Sequence, residues 1–198
     1  MTETDALLRE LNHRVNNNFQ IVVSLMNLKK RILPVERQED IRFIEEHVQS
    51  MAVAYRMILA RGAVLEVTAG ELVADVVLGL RLIAKLQAES LSLDLAILGI
   101  MLNLDQAIAV ALYFAAVLPP FLDHAKATGT RVSISVSSEG ETLSVSILGD
   151  GDREELVDPL RERLLQAYLS QLGGTRDTEN RAGKHRLTFA VTQIGDAV

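Results

Sequence analysis

The chain of 198 residues has no cysteine, no tryptophan, only 4% aromatic residues and four prolines. Without cysteine, disulfides and thiolate metal sites are excluded, and a reducing, cytoplasmic compartment is the expectation. With so few aromatics the core must be built from Leu, Val, Ile and Ala. No apolar run approaches the roughly 18 to 20 residues that span a bilayer; the most apolar segment, Ala107 to Leu118, stops at Pro119-Pro120. The opening MTETDALLRE carries acids where a secretory signal carries bases. Positive charge is also short: the net charge of −6 argues against nucleic-acid and membrane-surface partners. G-x-S-x-G, G-x-x-x-x-G-K-[ST] and H-E-x-x-H motifs are all missing. What remains is 48% hydrophobic and 23% charged, a composition that buries a real core.

The charge is divided unevenly along the chain, +1 over residues 1–61 and −7 over 62–198. The hydrophobic period changes at the same point. From Thr4 to Ile32, the apolar residues Leu8, Leu11, Val15, Phe19, Val22 and Met26 recur at helical spacing. Lys29-Lys30-Arg31 suit a helix C-terminus and Pro34 ends the pattern. A second helical pattern runs from Glu36 to Ala60 through Ile41, Ile44, Val48, Met51, Ala54 and Ile58. Two such helices joined by a short loop form an antiparallel hairpin whose stripes outnumber its own partners. A second copy would complete a four-helix bundle, so a homodimer is expected.

Beyond Gly62 the texture is mixed. The pattern predicts a short strand at Val64–Val67, a helix over Ala69–Gln87 and a half-buried strand at Leu91–Leu95. A helix capped by Asp105 is expected over Gln106–Ala127, bent or broken by the Pro pair. Thr130–Val136 and Thr142–Leu148 alternate as a β-hairpin, Arg153–Leu172 reads as a helix ended by Gly173-Gly174, and His185–Gln193 as a last strand. The expected fold is therefore α+β: a helical hairpin over residues 1–62, then an α/β sandwich over 63–198.

On the first helix, Glu10, His13, Asn17, Gln20 and Ser24 fall within about 80° of one another, away from the apolar stripe. Asn16-Asn17-Asn18 opposes the helix around it, since each Asn costs roughly 0.6 kcal/mol against Ala. A local conflict of this kind marks a functional site. By residue type alone the face better suits a solvated His among polar neighbours. His47, among Glu45, Glu46 and Gln49, is expected to be solvated, and Met51 and Met57 to be bundle core.

The word Glu10-Leu-Asn-His-Arg-Val-Asn-Asn-Asn-Phe-Gln20 resembles the phosphoacceptor helix of the HWE and HRxxN types of sensor histidine kinase, close to E-x-x-H-R-V-K-N-N-L-Q. Glu10, His13, Arg14, Val15, Asn17, Asn18 and Gln20 match; Asn16 replaces Lys and Phe19 replaces Leu. Val48, Gln49, Met51, Ala52 and Ile58 of the second helix also look like that family. Leu104-Asp-Gln-Ala107, the β-hairpin and Gln171-Leu-Gly-Gly-Thr175 fall where its ATP-binding domain has similar segments. The resemblance implies a phosphoacceptor role for His13. A neutral imidazole nitrogen attacking phosphorus in line must be exposed, rigidly held and reachable. Arg14 is suited to neutralising phosphoryl oxygens, and Glu10 and Asn17, one turn to either side, to orienting the ring.

Kinases of that family bind Mg-ATP through an Asn-bearing helix (E-L-V-x-N-A-x-K-H-A), a D-x-G loop and a Gly-rich lid. Aligned on His124-Ala125, the metal-binding Asn falls on Pro120 and its Glu on Ala116. Leu148-Gly-Asp-Gly-Asp152 keeps Asp150 and a Gly, an ordinary turn by itself. From Asp152 to Gln166 there is no Gly, only a charged run with Arg153, Glu154, Glu155, Arg161, Glu162 and Arg163. The sandwich thus resembles a degenerate ATP-binding domain, with no cofactor of its own expected. The expected function is that of a histidine phosphotransfer protein, relaying a phosphoryl group through His13 between response-regulator receiver domains that bring their own Mg²⁺. A hybrid histidine kinase would stand upstream. An ATP-dependent autokinase and a non-catalytic dimeric adaptor are the alternatives.

Overall fold

The computed structural model describes residues 3–60, 66–97, 99–150, 158–176 and 184–190. Two long helices open the chain, α1 (Glu3–Ile32) and α2 (Gln38–Ala60), joined through Pro34 and a single 3₁₀ turn at Val35–Arg37. They lie antiparallel, with the Phe19 and Tyr55 rings 5.6 Å apart and Lys30 Nζ 3.0 Å from Glu45 Oε2. Strand β1 (Glu66–Thr68) and helix α3 (Ala69–Ala84) follow; the expected strand overlaps β1, and Val64 and Leu65 lie outside the described residues.

The next elements are β2 (Leu91–Ala96), β3 (Met101–Asn103), α4 (Leu104–Val117), α5 (Pro119–Thr128), β4 (Val132–Glu139) and β5 (Thr142–Gly149). Last come α6 (Pro159–Leu172), β6 (Thr175–Arg176) and β7 (Lys184–Ala190). Of the helix expected from Arg153, residues 153–157 lie outside the described set, and Asp158 caps α6 by accepting from the Leu160 N–H at 2.9 Å. Of the last expected strand, 191–193 lie outside it too. β1 and β3 form a small antiparallel pair. The main sheet has the order β2-β4-β5-β7-β6, with β2 parallel to β4 and the rest antiparallel. The fold is α+β, as the sequence implied.

Alternation sets the faces of this sheet. Val132, Ile134 and Val136 of β4 and Leu143, Val145 and Ile147 of β5 turn inward, while Ser133, Ser135 and Ser137 of β4 turn out. The β4–β5 turn has Gly140 at φ +57°, the first central position of a two-residue hairpin loop, where glycine is needed. α3, α4, α5 and α6 cover the inward face, with Leu72, Tyr113, Phe114, Leu118 and Leu122 at the centre of the core.

Three expectations are corrected here. The cap of α4 is Asn103 rather than Asp105: Asn103 Oδ1 accepts from the Gln106 N–H at 2.9 Å, and Gln106 Oε1 accepts from the Asn103 N–H at 3.1 Å. The apolar segment runs on through α5, so that Leu104–Thr128 is long and apolar enough to cross a membrane, yet most of its most apolar stretch is buried in the protein core. Finally, the second face of α2 needs no other copy of the chain. Val53, Ala54 and Ile58 join the core of the sheet domain.

Candidate functional site

Register within the hairpin locates the acceptor word. With Phe19 opposite Tyr55 and Lys30 opposite Glu45, the backbone of His13 lies level with the last turn of α2, at the end of the hairpin remote from the loop. Val15 and Phe19 are half-buried on the side toward α2, whereas Glu10, Arg14, Asn17, Asn18 and Gln20 are exposed. Arg14 donates to Glu10 Oε1 from Nε at 3.0 Å and Nη2 at 2.5 Å, so these two predicted site residues hold each other. Both are well exposed, and such an i,i+4 pair is worth only about 0.3–0.5 kcal/mol. An incoming phosphoryl group can therefore take Arg14 away from Glu10 at little cost.

A second feature of α1 went unread in the sequence. Ile21, Leu25, Leu28 and Ile32 fall within about 60° of one another, and roughly 115° around the helix from the stripe that meets α2. All four are more than half exposed, Ile32 at 76%. A helix of a four-helix bundle needs two such stripes, one for each neighbour. The spacing is legible in the sequence, beside the longer stripe that meets α2.

The positions that the resemblance assigns to Mg-ATP look different in three dimensions. Pro119 and Pro120 carry no N–H, so the carbonyls four residues earlier, Ala115 and Ala116, lose their helical partners. Arg161 of α6 fills both: its Nη1 lies 3.3 Å from Ala115 O and 3.4 Å from Ala116 O. Alanine and proline side chains offer a divalent cation no oxygen, and a guanidinium beside them repels it. The residues present here do not fit Mg-ATP.

Arg161 also reaches the hairpin. Its Nη2 lies 3.2 Å from Oε2 of Glu46 on α2, and its guanidinium stacks 4.7 Å from the Phe43 ring centre. Glu46 is 1% exposed, and its other oxygen accepts from Arg42 Nε at 2.9 Å. Arg42 in turn grips both oxygens of Asp123 on α5, at 2.7 and 2.6 Å. Burial pushes the Glu46 carboxyl above its ordinary value, against the pull of Arg161 and Arg42. Arg42 stays protonated: burial opposes its charge, but the bonds to Asp123 and the charge of Glu46 outweigh it.

His47 is corrected by this arrangement. It is half-buried rather than solvated, between Phe43 (4.4 Å between ring centres) and Tyr168 of α6 (6.3 Å). Its Nδ1–H donates to Phe43 O at 2.8 Å, and Nε2 meets no partner among the described residues. Burial lowers its pKa, the Phe43 bond opposes that, and Arg161 lowers it further.

Sequence reading missed Arg42, Glu46, Asp123 and Arg161. Two signals for them exist. Glu46, Ser50, Ala54 and Ile58 share one helix face, so an acid stands on a buried stripe. A Pro pair inside an apolar helix also demands an outside donor for the carbonyls it strips.

Residues 10–84 match the HisKA_2 family of histidine kinases. Over that stretch, less than half of the chain, the sequence is similar to histidine kinases. The fold is similar to that of the histidine kinase domain of the Erythrobacter litoralis EL346 blue-light activated histidine kinase, with a TM-score of 0.60 and 19% identity over 96% of this chain and 94% of that one. Against the longer EL346 structure the TM-score is 0.62 at 17% identity over 98% of this chain, which spans 65% of that chain. No curated protein matches the chain in sequence. The match over residues 10–84 supports a role in two-component signalling.

Proposed function

We propose that the chain is a histidine phosphotransfer protein, carrying a phosphoryl group on His13 between the aspartates of receiver domains. The observation that carries this reading is the contrast between an intact acceptor word on an accessible helix and a nucleotide position filled by Arg161 and prolines. A nitrogen of the His13 imidazole attacks the phosphorus of an aspartyl phosphate in line. The N–P bond forms as the acyl-phosphate P–O bond breaks and the carboxylate leaves with its electron pair. Arg14 offsets charge on the phosphoryl oxygens, and Asn17 and Glu10 steady the ring. The receiver brings the Mg²⁺; this chain needs no cofactor. A hybrid histidine kinase upstream and a cytoplasmic site of action complete the reading, and the absence of cysteine fits a reducing compartment.

The working unit in this reading is a homodimer. Ile21, Leu25, Leu28 and Ile32 offer the second copy an apolar stripe continuous over three turns. Autokinase activity is the second reading, favoured by the family match over residues 10–84. The test is incubation with Mg²⁺ and γ-labelled ATP, then with a phosphorylated receiver domain, using His13→Ala as control. Label on His13 from the receiver but not from ATP is the expected result. Label from ATP makes the chain an autokinase, and label from neither leaves a non-catalytic adaptor.

A further inference from the structure

Helix α2 meets the sheet domain in two chemically different places. At its C-terminal end, next to the connection between the two parts, Val53, Ala54 and Ile58 are buried in the shared apolar core. At its N-terminal end the contact adds ion pairs to the packing of His47 against Tyr168: Glu46 is held by Arg161, and Arg42 by Asp123. Ile58 and Glu46 are separated by about 18 Å along the helix. An apolar contact is non-directional and tolerates rotation. Charge-assisted bonds with fixed forks do not.

We propose that Arg161 is a latch that fixes the sheet domain against the hairpin in a single orientation, with the apolar contact at Ile58 as the hinge. Three demands converge on this one side chain. The Pro119-Pro120 break needs a donor for Ala115 O and Ala116 O, and Arg161 supplies it. Buried Glu46 needs a second cation beside Arg42, and the same guanidinium supplies it. The Phe43 ring covers its face, and Asp158 Oδ2 stands 3.6 Å from its Nε. Removing Arg161 frees two carbonyls on the sheet-domain side and half of a carboxylate on the hairpin side. Both surfaces then gain by opening to water, and the hinge lets them. A domain that carried ATP to His13 would have to travel; this one is tied to α2 through the position that nucleotide would occupy. The latch is independent of the phosphotransfer reading, because it concerns domain orientation alone.

The chain has no native cysteine, so spin labels on Glu36→Cys in the hairpin turn and Ser137→Cys on the outer face of β4 report one interdomain distance. Labelled chain diluted in excess unlabelled chain keeps the signal within one protomer. A single narrow distance distribution is expected for the otherwise unsubstituted chain. Arg161→Met, which keeps the length of the side chain, and Glu46→Gln, which keeps its shape, should each lose that single peak to a broad distribution with longer distances. An unchanged narrow peak in either variant, with helix content retained by circular dichroism, overturns the latch. A broad distribution before any latch residue is changed overturns it too, and requires no variant to fold.

Discussion

Nη2 of Arg161 lies 3.2 Å from Oε2 of Glu46, although 115 positions separate the two residues in the chain. The pair joins the helical hairpin to the sheet domain, and it is buried: the Glu46 side chain is 2% exposed and that of Arg161 18%. A buried ion pair is costly to break from one side and cheap to replace from both.

Arg161→Ala alone should therefore destabilise the protein by about 3–5 kcal/mol. Replacing the whole cluster with apolar residues of similar volume (Arg161→Met, Glu46→Leu, Arg42→Leu, Asp123→Leu) should recover the part of that loss due to an unpaired buried charge, leaving the cost of the unpaired Ala115 and Ala116 carbonyls. Urea unfolding midpoints of the two proteins decide the matter. Equal losses in both would mean that packing rather than charge carries the contact.

The pH dependence of stability contains two opposed contributions. His47 has a lowered pKa, so its contribution is present above the ordinary histidine value near 6.5 and is lost as pH falls through its folded value. Glu46 has a raised pKa, so its contribution is present below the ordinary carboxyl value of 4.5 and is lost as pH rises through its folded value. In the native chain, the His47 contribution should make the urea midpoint fall from about pH 7.5 to about pH 5, against the opposite contribution of Glu46. Adding His47→Phe should flatten that fall. A slope unchanged by His47→Phe would assign it to other groups.

Asn103→Ala should cost roughly 0.5–2 kcal/mol through loss of the capping box. Asp105→Ala, in the exposed first turn of the same helix, should cost less, since it removes only an interaction with the helix dipole. Thermal unfolding of the two variants gives the order directly, and the reverse order would return the cap to Asp105.

Leu25→Glu together with Leu28→Glu should turn a dimer into a monomer while leaving helix content unchanged. Both side chains are more than half exposed in the single chain, so nothing inside the protomer depends on them. Light scattering before and after the substitution is the measurement. A native chain that is already monomeric would remove the four-helix bundle from the proposed function.

Arg14→Ala should leave stability within about 0.5 kcal/mol of the native value, because its pair with Glu10 is exposed. Its effect should appear instead in the rate of phosphoryl transfer from a receiver domain to His13. A variant as fast as the native chain would leave Arg14 without a part in the chemistry.

Local pattern accounts for what was legible beforehand. Helix and strand periods alone placed α1, α2 and the β4–β5 hairpin, because each buries one face and repetition along the chain records which. The word around His13, on which the proposed function rests, could be noticed for the same reason: its residues sit within three turns of one helix. The sequence could also show what proline and alanine at 120 and 116 cannot bind.

Pairing between distant segments was decided only by the tertiary structure. Nothing near Glu46 announces Arg161, and nothing near Pro119-Pro120 says which donor reaches the carbonyls they strip. His47 looked solvated among Glu45, Glu46 and Gln49, because the helix period gives a side chain its direction but not the element it meets. That element, α6, arrives from the far end of the chain. Periodicity is a property of neighbours in sequence, whereas desolvation and charge pairing belong to neighbours in space.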